Sequence, residues 1–345
     1  FVFDMGQNFA GVARIKVQGP AGTHIVLRYG EDKHKDGSVN VMTSVAGQIK
    51  EGNGGAGAPE IAWQEDSYIL KGKGKEIWSP RFTFHGFRYV EVKGWPGKPT
   101  LLDMEGLRMN TDVPATGSFT SSNSMFNQLY QNMHWTFLSN IFSVQSDCPA
   151  REKLGYGGDI VATAESFIYN YNMAQFYRKA IQDFANDQRL RGGITETAPF
   201  VGIADRGPGD GSGPLGWQLA YPYLMKQLYE FYGDKQVIEQ QYNAFVKQMD
   251  FLQATAIEGL HHIDISDHEA LDTKPEAFSA ASFYYHHAVL IAEFAGILNK
   301  KEDAQQYTRL ADRIKSDIVS KFLVPGTGRF DNATQSAQIL ALWYN

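Results

Sequence analysis

The chain has 345 residues, enough for two domains, and 43 % of them are hydrophobic, so a large buried core is available. Its formal net charge is −6, and no run of lysine or arginine could follow a phosphate backbone, which argues against nucleic acid as a partner. The single cysteine, Cys148, excludes an internal disulfide and any metal site built from cysteines. A neutral substrate fits this charge better than nucleic acid does, and no apolar run is long enough to span a membrane.

The first third of the chain, residues 1–121, is predicted to be an antiparallel β-sandwich. Alternation of apolar and polar side chains predicts strands at residues 11–18, 25–29, 67–71, 82–92 and 117–120. The Gly-Pro-Ala-Gly sequence at residues 19–22 predicts a turn that joins the first two strands as a hairpin. Residues 37–59 are rich in glycine and alanine and have no period, so we expect a loop excursion there.

Apolar residues recur at helical spacing after residue 121, with Ser122 or Asn123 as the predicted first cap. The period returns near residues 158–170, 173–189, 218–232, 236–254, 277–298, 303–321 and from 334 onward, which predicts about eight helices. Helices in series joined by loops of unequal length favour an (α/α)6 toroid over residues 122–345. Since a closed toroid of this kind needs roughly twelve helices, and the chain starts without Met and stops inside a helical pattern, we expect a piece of a longer protein.

Residues 147–159, Asp-Cys-Pro-Ala-Arg-Glu-Lys-Leu-Gly-Tyr-Gly-Gly-Asp, are too polar for a core. Pro149 and the glycines prevent a continuous helix, so Asp147, Glu152 and Asp159 can converge. Hydrolysis of a glycosidic bond needs one carboxylic acid and one carboxylate, and the central Glu152 is the candidate acid. The alternative is a capped, salt-bridged loop between two helices.

Three other segments carry polar or aromatic residues. The glycine-rich loop at residues 207–216 lacks the Gly-Lys-Ser/Thr ending of a phosphate loop, so we expect it to shape a pocket beside Trp217, which either stacks on a sugar or packs in the core. Residues 261–269 contain His261, His262, Asp267, His268 and Glu269, but their spacing is not that of a metal site, so Asp267 or Glu269 is expected to bind sugar hydroxyls. His286 and His287 are expected to be ordinary helix histidines, and Glu196 is a minor candidate for the base. We expect no metal and no cofactor.

Residues 147–159 resemble the signature of the bacterial α-L-rhamnosidases, inverting glycoside hydrolases with an (α/α)6 catalytic domain flanked by β-domains. Residues 4–8, 19–22 and 80–90 are similar to the β-domain that precedes the barrel in this family, and residues 116–119 are similar to the entry to the helical domain. The resemblance implies that Glu152 is the general acid and that Asp147, Arg151 and Asp159 bind the hydroxyls of the sugar. It also implies a general base late in the helical domain, and by helix count we expect that position beyond Asn345.

The chain departs from the family pattern at three places. Tyr156 stands where the family often has Trp, a change that keeps an aromatic face for stacking. Ser266-Asp267-His268 stands in place of a Gly-Asp-Trp segment, and Leu219 replaces an acid near Trp217. The predicted function is removal of terminal α-L-rhamnose from a glycan or glycoside, without nucleic acid or membrane as a partner. The alternatives are a hydrolase of another sugar on the same scaffold and a carbohydrate-binding protein without catalysis, while the compartment stays open.

Overall fold

The computed structural model describes residues 1–44 and 64–344, which divide into two compact units. The first unit contains Phe1–Asp112 and Ser118–Leu154, and the second contains Val113–Gly117 and Gly155–Asn345. Of the loop excursion predicted at residues 37–59, the part from residue 45 on lies outside the described residues, and Val41–Ser44 forms a 3-10 turn. Within the described part of the chain, no helix has the length and apolar character needed to cross a membrane.

The first unit is built on a curled antiparallel sheet, which has six strands among the described residues. In chain order these are β1 (Val2–Gln18), β2 (His24–Gly30), β3 (Glu65–Ile69), β4 (Lys75–Trp78), β5 (His85–Lys93) and β6 (Met104–Arg108). They are arranged β3-β2-β5-β1-β4, and β6 also pairs with β1. The long β1 changes partners along its length, from β5 near its start to β6 and β4 near its end. The strands therefore belong to one sheet that is continuous through β1.

The predicted alternation of buried and half-exposed side chains holds in β1 and β2. Ile15 and Val17 of β1 and Leu27 of β2 are buried, whereas Arg14 and Lys16 are half-exposed. In β5, which is the central strand between β1 and β2, side chains on both faces are largely buried. The same placement makes the predicted hairpin wrong, since β1 and β2 follow each other in sequence but are separated by β5.

Two strands were missed and one predicted strand is wrong. β4 pairs only with β1 and leaves Ile77 64 % exposed, and β6 buries only Met104, so neither has the alternation of a half-buried strand. Residues 117–120 form no strand. The backbone amides of Thr116 and Gly117 instead donate to the carbonyl of Asn170, at the end of a helix.

The helix Ser124–Ser139 begins after Asn123, whose side chain accepts a hydrogen bond of 2.9 Å from the Met125 amide, as the sequence predicts. Trp135 on this helix packs against the core of the sheet. Two short strands, Ile141–Phe142 and Val144–Gln145, then lead into the polar segment at residue 147.

The second unit is helical, as predicted. Its long helices in the described region are Gly157–Asn170, Ala174–Asn186, Ala220–Tyr232, Lys235–Thr255, Glu276–Ile297, Lys301–Phe322 and Gln335–Trp343. A single turn, Leu215–Gln218, precedes the third of these, and a two-stranded ladder, Leu323–Val324 with Arg329–Phe330, precedes the last. The helix Glu276–Ile297 is buried on most of its surface, which is typical of a helix at the centre of a core. An antiparallel β-domain followed by a helical domain is therefore the confirmed architecture.

Candidate active site

The segment that carries Glu152 is a closed turn in the first unit. The amide of Asp147 donates to the carbonyl of Leu154 over 3.1 Å, and the amide of Leu154 donates to Oδ1 of Asp147 over 3.0 Å. Lys153, just before the closure, has a φ of 60°, a left-handed conformation that lets the chain reverse. Glu152, which is half-buried, is thus held on a turn whose two ends are tied by one residue.

This turn is anchored to the beginning of β5. Nζ of Lys153 donates to the carbonyl of Phe84 over 2.6 Å and lies 4.3 Å from the centre of the Phe84 ring. A Cβ atom on Gly86 would lie 3.0 Å from the Pro149 side chain and 3.1 Å from Ala150, so glycine permits this close approach. The sheet therefore supports the turn that carries the candidate acid.

The electrostatics of the turn are dominated by burial. Burial raises the pKa of Asp147, although hydrogen bonds from Cys148 and the Leu154 amide work in the opposite direction. Burial also lowers the pKa of the Lys153 ammonium. A hydrogen bond with Cys148 and, more weakly, the charge of Asp147 raise the pKa of the exposed Arg151. The first unit thus brings Asp147, Arg151 and Glu152 together on one turn.

The second half of the predicted motif, residues 155–159, belongs to the second unit and leads into the helix Gly157–Asn170. Asp159 lies in the first turn of this helix, where a carboxylate interacts favourably with the helix dipole. Tyr156, directly before the helix, is 8 % exposed and forms an isolated bridge with Thr197, so most of its ring is covered. The Gly157 amide donates to the carbonyl of Glu196 over 3.0 Å. The loop of Glu196 is therefore attached to the start of this helix.

Trp217 lies directly against this helix start. A Cβ atom on Gly158 would be 2.4 Å from the indole ring, and one on Gly157 would be 2.1 Å from the Trp217 carbonyl oxygen. The half-exposed indole also meets the His268 ring edge to face, with ring centres 5.9 Å apart. Asp267, the exposed neighbour of His268, accepts a hydrogen bond from the hydroxyl of Ser336. The second unit thus gathers Tyr156, Asp159, Trp217, Asp267 and His268 near one helix end.

Two buried acids of this unit had little weight in the prediction from the sequence: Glu196 was a minor candidate for the base, and Asp264 was given no role. Glu196 is 4 % exposed, and its carboxylate accepts from the Asp205 amide over 2.8 Å. Asp264 is fully buried, and burial raises its pKa to about 6. The usable signal for Asp264 was the Asp-x-Ser spacing, because an aspartate often bonds to the backbone amide two residues on.

Two buried histidines of the second unit, His261 and His287, act as packing groups. Burial lowers the pKa of His261 and His287 to about 4, so both are neutral near pH 7. One ring nitrogen of His261 lies 2.9 Å from the Leu252 carbonyl, and Nδ1 of His287 donates to the carbonyl of Phe283 over 2.8 Å. In residues 1–44 and 64–344, no group of three or more His, Cys, Asp or Glu side chains could hold a metal ion.

A β-domain followed by a domain of helices in series, with acids on glycine-rich turns at helix starts, defines the class of glycosidases built from helical hairpins. The family model of the bacterial alpha-L-rhamnosidase 6 hairpin glycosidase domain matches residues 114–345. The model of the bacterial alpha-L-rhamnosidase concanavalin-like domain matches residues 1–110. The chain belongs to the bacterial α-L-rhamnosidase family, which confirms the resemblance seen in its motifs.

Several relatives are similar over the whole chain. An alpha-L-rhamnosidase of Streptomyces avermitilis is 35 % identical over 351 residues, which cover 100 % of this chain and 32 % of the relative. One from Formosa agariphila is 28 % identical over 360 residues, covering 100 % of this chain and 36 % of the relative. The chain therefore spans about a third of the length of the curated relatives it matches.

Solved structures agree in fold. The alpha-L-rhamnosidase from Dictyoglumus thermophilum superposes with a TM-score of 0.87 at 33 % identity, over 99 % of this chain and 37 % of that one. The Streptomyces avermitilis enzyme complexed with L-rhamnose gives a TM-score of 0.84 at 34 % identity, over 99 % and 31 % of the two chains.

Proposed function

We propose that the full-length protein is a glycoside hydrolase that removes terminal α-L-rhamnose from a glycan or glycoside, with Glu152 as the general acid. The observation that carries this proposal is the closed turn at residues 147–154, which presents a half-buried glutamate inside the region matched by the glycosidase domain model. The rhamnosidase names of the relatives, one of them complexed with L-rhamnose, support the choice of sugar.

In this proposal Glu152 donates its proton to the glycosidic oxygen as the bond to the anomeric carbon breaks. A second carboxylate removes a proton from the water that attacks the opposite face of the sugar ring. Inversion requires roughly 6.5 to 9.5 Å between the two carboxyl groups, which leaves room for that water. Because the chain spans about a third of its relatives, we place the base in the part of the full-length enzyme outside these residues.

Sugar recognition is assigned to both parts of the motif. Asp147, Arg151 and Asp159 provide charged acceptors and donors for the sugar hydroxyls. Trp217 offers a half-exposed indole for stacking, with His268 and Asp267 beside it. Tyr156 is assigned a smaller share of the contact, because the residue is only 8 % exposed.

The deciding experiment is Glu152→Gln in the full-length enzyme. We expect kcat for an alkyl or poorly activated aryl α-L-rhamnoside to fall about 100- to 10,000-fold, because proton transfer to the leaving group is lost. The loss should shrink with a dinitrophenyl leaving group, which departs with little protonation. Glu239→Gln, on the exposed side of the helix Lys235–Thr255, is the matched control and should keep wild-type activity. Near-normal turnover by Glu152→Gln would refute the assignment.

A second candidate function is hydrolysis of a different sugar, for which His268 beside Trp217 is the relevant observation. Leu219 gives this alternative little support, because the side chain is 1 % exposed and cannot face a substrate. A panel of aryl glycosides distinguishes the two, since preference for any sugar other than α-L-rhamnose would favour the alternative. Saturable binding of L-rhamnose without turnover of any member would instead indicate a carbohydrate-binding protein.

A further inference from the structure

The buried carboxylate of Asp264 joins two loops in the second unit. Its Oδ2 accepts a hydrogen bond of 3.1 Å from the Gly216 amide, and the Leu215 amide also bonds to this carboxylate. Its Oδ1 accepts one of 2.8 Å from the Ser266 amide. Because Asp264 is fully buried, these backbone bonds are made away from water, where an unmade bond is costly.

One of these loops lacks a cap of its own. The helical turn Leu215–Gln218 begins after Pro214, whose side chain has no hydrogen-bonding group, so Asp264 satisfies the first amides of the turn from a distant position in sequence. The same turn is held tightly on its other side, since a Cβ atom on Gly216 would be 2.9 Å from the Phe283 ring. Its orientation is therefore set by Asp264 and by the helix Glu276–Ile297.

Both loops lead directly to the aromatic side chains of the candidate site. Trp217 follows Gly216 and packs on Gly158, while His268 lies two residues after Ser266 and meets the indole edge to face. A single buried carboxylate thus bonds to the backbone one residue before Trp217 and two residues before His268, whose rings pack edge to face.

We propose that Asp264 is a positioning residue that holds Trp217 and His268 as one sugar-binding wall. The proposal rests on the proposed function, because it assigns this wall to the sugar. Asp264 itself does not touch substrate, since it is fully buried. Its role is to fix the angle of the indole through the Gly216 amide and the approach of the imidazole through the Ser266 amide.

The test is Asp264→Asn in the full-length enzyme. An amide replaces one acceptor oxygen by an NH2 group, which cannot accept a backbone N–H, so one of the two loops must move. We expect KM for an aryl α-L-rhamnoside to rise about tenfold with little change in kcat, because the stacking contact is misplaced while Glu152 is untouched. An unchanged KM in a folded variant would overturn the proposal.

Asp234→Asn is the matched control. Asp234 also caps a helix, accepting from the Val237 amide over 3.2 Å, but it belongs to the helix Lys235–Thr255 and bonds to neither loop. Both variants should lose stability, and only Asp264→Asn should raise KM. An equal rise in both would mean that KM responds to stability alone, which contradicts a positioning role.

A double-mutant cycle with Trp217→Phe tests whether Asp264 acts through the indole. In the Trp217→Phe background, Asp264→Asn should raise KM much less than in the wild type, because the ring that it misplaces is already gone. If the two substitutions raise KM additively, Asp264 does not act through the indole, and this part of the proposal is wrong. If Asp264→Asn does not fold, Asp264→Glu, which keeps both oxygens one methylene further out, takes its place in the cycle.

A measurement without substrate separates this proposal from the proposed function. Acrylamide quenching of Trp217, taken as the difference between each protein and its Trp217→Phe counterpart, should increase in Asp264→Asn. Absence of α-L-rhamnoside turnover by the wild type would defeat the proposed function and leave this result intact. If the wild type hydrolyses the α-L-rhamnoside but quenching of Trp217 is the same in Asp264→Asn and the wild type, the positioning role is wrong and the proposed function stands.

Discussion

The thiol of Cys148 supports the candidate acid from within the turn. Its Sγ accepts a hydrogen bond of 3.3 Å from the Glu152 amide, and the thiol also bonds to the Asp147 carboxylate. Burial raises the pKa of this thiol, so it stays neutral near pH 7 and donates and accepts at once. The lone cysteine, which in the sequence only excluded disulfides, therefore links Asp147 to Glu152.

Cys148→Ala should lower kcat/KM for a poorly activated aryl α-L-rhamnoside about tenfold in the full-length enzyme, because the Glu152 amide loses an acceptor and the acid is less well held. Cys148→Ser keeps a group that donates and accepts, so it should recover much of the loss. Steady-state kinetics of the two variants provide the check. Equal activity of Cys148→Ala and wild type would show that the sulfur contact has no role in placing Glu152.

The helix Gly157–Asn170 begins with two glycines for a reason of space. Glycine is a poor helix former. At Gly157 and Gly158, however, any larger side chain would collide with the backbone or the indole of Trp217. The helix therefore has low intrinsic helix propensity at its start, where the two glycines let Trp217 approach its backbone closely. This choice cannot be inferred from the helical period alone.

Gly158→Ala should separate stability from activity. Alanine favours the helix by up to about 1 kcal/mol, which offsets part of the cost of about 1–3 kcal/mol for displacing the indole, so the thermal midpoint should fall only modestly. The displaced Trp217 should reduce kcat/KM for the rhamnoside roughly 10- to 100-fold. Gly296→Ala, with open space around its Cβ on the helix Glu276–Ile297, is the control and should keep full activity. Normal activity of Gly158→Ala would contradict a role for the indole at this position.

The second unit as a whole carries buried histidines that make it sensitive to acid. The pKa of His261 and of His287 is lowered by burial from 6.5 to about 4, so their contribution to stability is present above pH 6.5 and is lost as the pH falls through about 4. Asp264 works in the opposite direction, because its pKa is raised to about 6 and its contribution is lost as the pH rises through that value. The two histidines together outweigh the single aspartate.

Thermal unfolding of the full-length protein should therefore shift to lower temperature between pH 7 and pH 5. Each of the two histidines is expected to cost about 2 kcal/mol over this range, and Asp264 offsets part of the sum. His261→Gln should show a shallower pH dependence than wild type, whereas His34→Gln, at an exposed position, should not. A pH dependence that is the same in all three proteins would exclude buried imidazole as its source.

Local pattern was sufficient for much of this architecture. Helical period, caps such as Asn123 and the change of period after residue 121 predicted the helices, because these signals are short in range. Short edge strands such as β4 were not predicted, because they bury few side chains and so lack a clear alternation of apolar and polar residues. The hairpin of β1 and β2 was wrong because β5, more than fifty residues further along the chain, pairs with both.

The sequence by itself determined the family and the candidate acid, because Asp147, Arg151, Glu152 and Asp159 lie within one contiguous motif. Only the tertiary structure decided that Asp264 is buried and bonds to the backbone next to Trp217, and that the indole occupies the space over Gly158. The physical reason is distance along the chain. Burial and contact between residues about fifty to sixty positions apart depend on how helices pack, and no local pattern of side chains encodes that packing.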